Sequence, residues 1–186
     1  MIVIGASLGG TQALQTILAA LPLEFLAPIA IVQHRGAGDN GLLHHFLQKQ
    51  SHLPMEEPED KGEILAGHIY LAPADYHLLI ESHHFALSTE APVCHARPSI
   101  DVFFTSVAEV YAERALGIIL TGASRDGASG LAAIKEHGGF TLVQDPKTAA
   151  CPIMPTSALE ATSVDAIFPL EEISAFLVHH CQSRYW

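Results

Sequence analysis

The chain has 186 residues and a formal net charge of −11, and 49% of its residues are hydrophobic whereas 16% are charged. This length predicts one domain, residues 1–186, whose apolar core needs no disulfide. The nine Lys and Arg residues are scattered, which argues against nucleic-acid binding because phosphate contacts need clustered cations. The sequence has no apolar run of about 18 residues and no signal peptide. Its three cysteines are far apart, so we expect a cytoplasmic protein with reduced thiols and no membrane insertion.

Apolar periodicity predicts alternating strands and helices along the chain. The first part predicts strands over 2–4 and 29–32 and helices over 11–21 and 42–47. The middle predicts strands over 67–72, 76–80 and 85–87, paired as an antiparallel hairpin region near 67–88. The last part predicts strands over 117–120, 140–143 and 166–168 and helices over 101–112, 128–137, 155–161 and 170–180. The expected fold is α/β, a mostly parallel, doubly wound sheet in a Rossmann-like three-layer sandwich.

The opening stretch GASLGG follows the first predicted strand, and several functions use a glycine-rich turn at such a place. A dinucleotide site requires glycine at the position of Ser7 and an acidic residue after the second strand, where the chain has VQH. A phosphate loop requires a lysine that is absent. A turn that exposes a nucleophilic Ser7 fits better, because Gly5 and Gly9 allow a sharp strand-to-helix turn. The alternative is a serine that only satisfies hydrogen bonds of the turn.

A serine nucleophile needs a base and an acid that orients the base. His34 follows the second predicted strand and Asp126 follows the strand over 117–120, so both are expected at the same sheet edge as Ser7. The order Ser-His-Asp, with the serine at residue 7, differs from the order in α/β-hydrolases. Despite twelve histidines, the sequence has no Cys or His spacing typical of a metal site. We expect neither a metal nor an organic cofactor.

Several motifs in this order and spacing resemble the catalytic domain of the chemotaxis protein-glutamate methylesterase (CheB) family: GASLGG, VQH, RPSIDVFFTSVA, ILTGASRDGASGL and the MP of CPIMPTSA. The resemblance extends from Ile2 to about Leu177. It implies a serine hydrolase that demethylates glutamate methyl esters on the cytoplasmic helices of chemoreceptors, releases methanol and deamidates glutamines. It also implies that Ser7 is the nucleophile, His34 the base and Asp126 the orienting acid.

The resemblance implies further residues around this triad. It implies that the backbone N–H of Ala123 is an oxyanion donor, and that Leu8, Gly9, Arg97 and Met154 belong to the oxyanion site or the cleft. Each of these residues lies in one of the motifs quoted above.

The sequence departs from the family pattern in three ways. Leu8 stands where the family has threonine or a small residue, and Ala123-Ser124 replace the Met-Gly of its TGMG turn. Met1 precedes the first strand directly, so we expect no N-terminal receiver domain. A receiver or methyltransferase domain would act in trans or in a longer parent chain. Two alternatives stay open, a catalytically impaired receptor-docking module and a small-molecule carboxylesterase.

Polar residues outside the triad are expected to be structural. Ser99 follows Pro98 and is predicted to cap the next helix. Asp75 and His77 are predicted to form a polar turn.

Overall fold

The structure is a computed structural model that describes residues 1–35 and 41–182. The first half of the chain contains β1 (Ile2–Ala6), α1 (Gly10–Ala19), β2 (Ile29–Gln33), α2 (Leu42–Gln48), β3 (Met55–Glu56), β4 (Ile69–Leu71), β5 (His77–Glu81) and β6 (His84–Ser88). The second half contains α3 (Ile100–Tyr111), a 3₁₀ turn (Ala112–Arg114), β7 (Leu116–Ile119), α4 (Ala128–Glu136), β8 (Phe140–Gln144), α5 (Ile153–Ala161), β9 (Ala166–Phe168) and α6 (Leu170–Gln182). Within the described ranges, no helix combines the length and apolar character needed to span a bilayer.

Seven strands form a parallel sheet in the order β3-β4-β2-β1-β7-β8-β9. The central strand β1 pairs with β2 on one side and with β7 on the other. Gly5 of β1 is level with Val32 of β2 and with Ile119 of β7, so these three strands end at nearly the same height. The loops that follow them therefore meet at one edge of the sheet.

Helices cover both faces of the sheet and bury its side chains in two apolar clusters. One cluster includes residues from α1, α2 and α6, and the other includes residues from α3, α4, α5 and the β5–β6 hairpin. Successive residues of a strand point to opposite faces; accordingly Ile2 and Ile4 lie in the first cluster and Val3 in the second. The predicted fold class, a mostly parallel and doubly wound α/β sheet, is confirmed.

The middle of the chain differs from the predicted pairing. The strands over 67–72 and 76–80 were expected to pair around a turn, but β4 instead joins the parallel sheet beside β2. All three residues of β4 are buried, which suits a strand covered on both faces. The antiparallel pair is β5 with β6, so the hairpin occupies 77–88 rather than 67–88. The two-residue strand β3 is too short to give a periodic signal and was not predicted.

Candidate active site

Three predicted residues follow the carboxyl ends of neighbouring strands: Ser7 after β1, His34 after β2 and Asp126 in the loop after β7. The structure brings His34 and Asp126 into contact, with 2.7 Å between Nε2 and Oδ2. The backbone N–H of His34 donates to the carbonyl of Ala6 at 3.0 Å, and that of Ser7 donates to the carbonyl of Thr121 at 3.0 Å. These bonds fasten the three loops to one another beside Ser7.

The Asp126 carboxylate is buried and accepts hydrogen bonds from four groups. Besides His34, the Ser99 hydroxyl donates to Oδ1 at 2.8 Å, the Ile100 N–H to Oδ2 at 2.7 Å and the Asp101 N–H to Oδ1 at 3.0 Å. Burial by itself opposes ionisation, but the bonds from His34 and from these groups outweigh it, so the pKa of Asp126 lies below its usual value. Asp126 is therefore a carboxylate at neutral pH.

The tautomer of His34 follows from this charge. An ionised carboxylate only accepts hydrogen bonds, so Nε2 of His34 carries the proton that is shared with Asp126. In the neutral ring Nδ1 is then the basic nitrogen, and no described residue hydrogen-bonds to it. The ring is mostly buried, with 14% of its side chain exposed. Its free nitrogen can accept a proton.

Ser7 occupies a tight turn in which two glycines are required by space. Gly9 has a φ of 81°, and a Cβ there would lie 2.6 Å from Cβ of Ala150. A Cβ on Gly122 would lie 2.8 Å from Cβ of Ser7 and 1.9 Å from Sδ of Met154. Predicted cleft residues Gly9 and Met154 thus lie at or near the Ser7 turn, although Met154 is buried.

Two backbone N–H groups near Ser7 are available to a ligand. Neither Leu8 nor Ala123 donates its N–H to another described residue. Ala123 follows Thr121 and Gly122, which contact the Ser7 turn directly. Free N–H groups beside a nucleophile are suited to an oxyanion.

An open cleft of about 490 Å³ lies on the His34 side of Ser7. Its lining includes Arg97, one of the predicted cleft residues, together with Arg35, Asp75, His95 and Ser124. Arg97 donates through Nη1 to the carbonyls of Thr89 and Glu90, at 2.9 and 3.0 Å, which fixes one cleft wall. The cleft therefore presents mainly polar groups, Asp75 among them, to a substrate.

The sequence and the backbone both match known proteins. The profile of the family described as CheB methylesterase matches residues 2–177. The chain belongs to the CheB methylesterase family. A putative protein-glutamate methylesterase/protein-glutamine glutaminase from Leptospira interrogans is 49% identical over 98% of this chain and 95% of its own length.

A CheB methylesterase of known structure shares the same fold. The crystal structure of the Thermotoga maritima CheB methylesterase catalytic domain matches with a TM-score of 0.91 and 33% identity, covering 96% of this chain and 97% of that one. An Anaeromyxobacter dehalogenans protein-glutamate methylesterase/protein-glutamine glutaminase is 43% identical over 93% of this chain but only 51% of its own length. Membership confirms the predicted family and the expectation of a methylesterase enzyme. The roles of Ser7, His34 and Asp126 stay predictions.

The structure adds residues of this CheB family member that the sequence did not single out. Gln33 donates through Nε2 to the carbonyls of Ser7 and His34, at 2.8 and 3.0 Å. Thr121 donates through Oγ1 to the carbonyl of Leu8 at 2.9 Å and accepts from the N–H of Cys151 at 2.8 Å. Both are polar residues at the ends of apolar strands, a signal that could have drawn attention to them.

Ser99 and His77 turn out to be linked to Asp126. Ser99 caps α3, as predicted, by accepting from the N–H of Val102, and its hydroxyl also donates to Asp126. The buried His77 accepts through Nδ1 from the N–H of Ser99 at 3.2 Å, and its Nε2 lies 3.1 Å from the Ala91 carbonyl. His77 therefore links Ala91, in the loop that lines the cleft, to Ser99, which donates a hydrogen bond to Asp126.

Asp101 and Asp126 stabilise each other's helices. Asp126, which precedes α4, accepts from the first N–H groups of α3, whereas Asp101 of α3 accepts from the N–H groups of Gly127 and Gly130, at 2.9 and 2.7 Å. Each carboxylate thus interacts with the positive end of the other helix. Burial raises the pKa of Asp101, and the neighbouring Asp126 raises it further.

Among the described residues, one group could offer three ligand atoms to a metal: Cys94, Asp101 and Asp126, whose ligand atoms lie within 4.8 Å of one another. The aspartate oxygens already accept backbone and side-chain hydrogen bonds. Desolvation and the two aspartates also raise the pKa of the Cys94 thiol, whereas a metal binds the thiolate. This group fits a hydrogen-bond network rather than a metal centre.

Proposed function

We propose that this chain is a serine hydrolase that demethylates glutamate methyl esters on the cytoplasmic helices of chemoreceptors and deamidates glutamines at such sites. The observation that carries the proposal is the buried, ionised Asp126 bonded to His34 beside Ser7, in a chain of the CheB methylesterase family. Relatives named protein-glutamate methylesterase/protein-glutamine glutaminase support both activities. The protein acts in the cytoplasm, where a receiver or methyltransferase domain acts on it in trans or in a longer parent chain.

In the first half of the reaction, Ser7 attacks the ester carbonyl while Nδ1 of His34 takes the hydroxyl proton. Asp126 stabilises the imidazolium that forms, because its carboxylate stays ionised and bonded to Nε2. The negative oxygen of the tetrahedral intermediate is held by the N–H groups of Ala123 and Leu8. Collapse of this intermediate expels methanol, which receives the proton from His34, and leaves an acyl-serine.

In the second half, water attacks the acyl-serine with His34 again as the base. The glutamate carboxylate leaves, and the proton returns to Ser7. A glutamine substrate follows the same route, with ammonia as the first leaving group. The nitrogen that shuttles the proton is Nδ1, since Nε2 is bonded to Asp126.

Methanol release from methylated chemoreceptor membranes tests the proposal. Ser7→Ala should abolish release without changing the melting temperature, because no hydrogen bond between described residues uses the Ser7 hydroxyl. Ser163→Ala, at an exposed serine before β9, is the matched control and should keep full activity.

Other outcomes would support the alternatives. Receptor binding without methanol release from a folded wild type would indicate a docking module. Hydrolysis of simple acyl esters but not of methylated receptor would indicate a small-molecule carboxylesterase.

A further inference from the structure

We propose that an apolar rim beside Ser7 binds the apolar stripe of an amphipathic substrate helix, and that Leu8 thereby determines the preference for helical protein substrates over small esters. The apolar rim consists of Leu8, Ala150, Pro152 and Ile153. This inference rests on the proposed function, because the helix is the element that carries the reacting glutamyl ester.

All four residues of the apolar rim are exposed. Leu8, directly after the nucleophile, has 62% of its surface exposed, and Ile153 has 47% exposed. Exposed leucine and isoleucine side chains gain free energy when a partner covers them. An exposed leucine is common by itself; here exposed Leu8 and Ala150 lie at the Ser7 turn, and exposed Pro152 and Ile153 follow Ala150 closely along the chain.

Hydrogen bonds and close packing hold the two halves of the apolar rim together. Thr121 donates to the carbonyl of Leu8 at 2.9 Å and accepts from the N–H of Cys151 at 2.8 Å, which ties the Ser7 turn to the loop before α5. Gly9 and Ala150 approach so closely that a Cβ on Gly9 would overlap the alanine. The rim is therefore preformed, and binding a helix there requires little ordering of the enzyme.

The opposite side of the active site has the contrary character. The cleft beside His34 is polar: Arg97 and Asp75 line it, and the Arg35 in its lining is ion-paired with Glu57. Polar groups on one side of Ser7 and apolar groups on the other side complement a helix with a polar face beside an apolar stripe.

This chemistry selects an amphipathic helix as the occupant. A helix about 10–12 Å across can place one side chain at Ser7 while its neighbouring faces contact both sides of the site. A second copy of this chain is disfavoured, because two molecules of charge −11 repel each other. A helix that carries glutamate residues and an apolar stripe satisfies both halves of the surface.

The test compares two substrates and three single variants. The substrates are a methyl-esterified receptor helical fragment and a short, unstructured peptide with one γ-methyl glutamate. Leu8→Ala and Ile153→Ala shorten rim side chains but keep the Leu8 N–H. Leu26→Ala is the matched control, since Leu26 is 66% exposed and lies just before β2, away from the carboxyl edge of the sheet.

We expect Leu8→Ala to lower the ratio of kcat/KM for the helical substrate to kcat/KM for the short peptide by about tenfold, mainly through KM. Ile153→Ala should lower this ratio several-fold, and Leu26→Ala should leave it within about twofold of wild type. Thermal melting shows whether each variant is folded.

An unchanged ratio in folded Leu8→Ala and Ile153→Ala would overturn the inference while leaving the proposed function intact. If the wild type hydrolyses neither substrate, the proposed function fails, and the role of the apolar rim is then tested by binding of the helical fragment alone. Fluorescence anisotropy of a labelled helical fragment should show weaker binding to Leu8→Ala than to wild type. Equal binding would overturn the apolar rim.

Discussion

Replacing Asp126 by asparagine separates the proposed catalytic role of this residue from its structural role. The wild-type carboxylate accepts from His34 and Ile100 at Oδ2 and from Ser99 and Asp101 at Oδ1. An asparagine has one oxygen and one NH₂ group, so the NH₂ must face one of these pairs. In either orientation one buried backbone N–H loses its acceptor, which costs about 1–3 kcal/mol of the free energy of unfolding.

Asp126→Asn also alters the protonation of His34, the proposed base. When the NH₂ faces Nε2 of His34, the ring proton moves to Nδ1, which can then no longer accept a proton from Ser7. The other orientation preserves the tautomer but removes the charge that stabilises the imidazolium. We expect Asp126→Asn to lower kcat by about 10⁴-fold, the effect of the equivalent change in another serine hydrolase.

Urea denaturation at several pH values and methanol-release kinetics measure the two effects. Because the pKa of Asp126 is lowered in the folded state, its stabilisation is present above the unfolded-state pKa of about 3.9 and is lost as pH falls through the folded-state pKa. The stability gap between wild type and Asp126→Asn should therefore be full at pH 7 and narrow below about pH 4.

Asp101→Asn is the matched control for this substitution. Both backbone bonds of Asp101 end on Oδ1, so a single amide oxygen can keep them. We expect activity within about threefold of wild type and a stability loss below about 1 kcal/mol. If Asp101→Asn were as damaging as Asp126→Asn, or if Asp126→Asn stayed active, the assignment of the triad acid would be refuted.

Three further changes probe the support of the site and the acid stability of the fold. Thr121→Val should lower the free energy of unfolding by about 1–3 kcal/mol in urea titrations, because it leaves the partly buried N–H of Cys151 without an acceptor. Gly122→Ala should reduce kcat by more than its effect on the melting temperature explains, because the added Cβ would overlap Met154 and displace the nucleophile Ser7. Asp165→Asn should flatten the loss of stability on acidification, measured by thermal melts from pH 7 to pH 3, because hydrogen bonds hold the pKa of this carboxyl low despite its partial burial.

Local patterns in the sequence predicted most of the fold. Short continuous apolar runs located β1 and β2, which are buried on both faces, and period-3.6 apolar spacing located α1. Both kinds of signal located the alternation after residue 100. The partner of β4 was missed because an apolar strand beside a Pro-Ala-Asp turn fits both a hairpin and a crossover. Its pairing with β2 depends on contacts between distant parts of the chain, which periodicity does not encode.

The candidate site, like the fold, could be predicted from the sequence only in part. Ser7, His34 and Asp126 could be proposed because each follows a strand, and parallel strands align their carboxyl ends. The second role of Ser99 could not, because a helix cap and a carboxylate donor use the same hydroxyl and the same sequence pattern. The same holds for Gln33, whose amide bonds two carbonyls across neighbouring loops.

Asp101 of α3 and Asp126 before α4 each accept hydrogen bonds from the start of the other helix. This arrangement predicts which active-site residues an inactive relative would keep. A descendant that kept only receptor binding would no longer need Ser7, whose hydroxyl makes no hydrogen bond to a described residue. It would still need Asp126, because the first turn of α3 is anchored to that carboxylate. Selection for folding alone would therefore retain Asp126, and a relative that lost catalysis would first lose the serine at position 7. In such relatives the presence of Asp126 would indicate only that the fold is intact, whereas the residue at position 7 would indicate whether the protein is still a hydrolase.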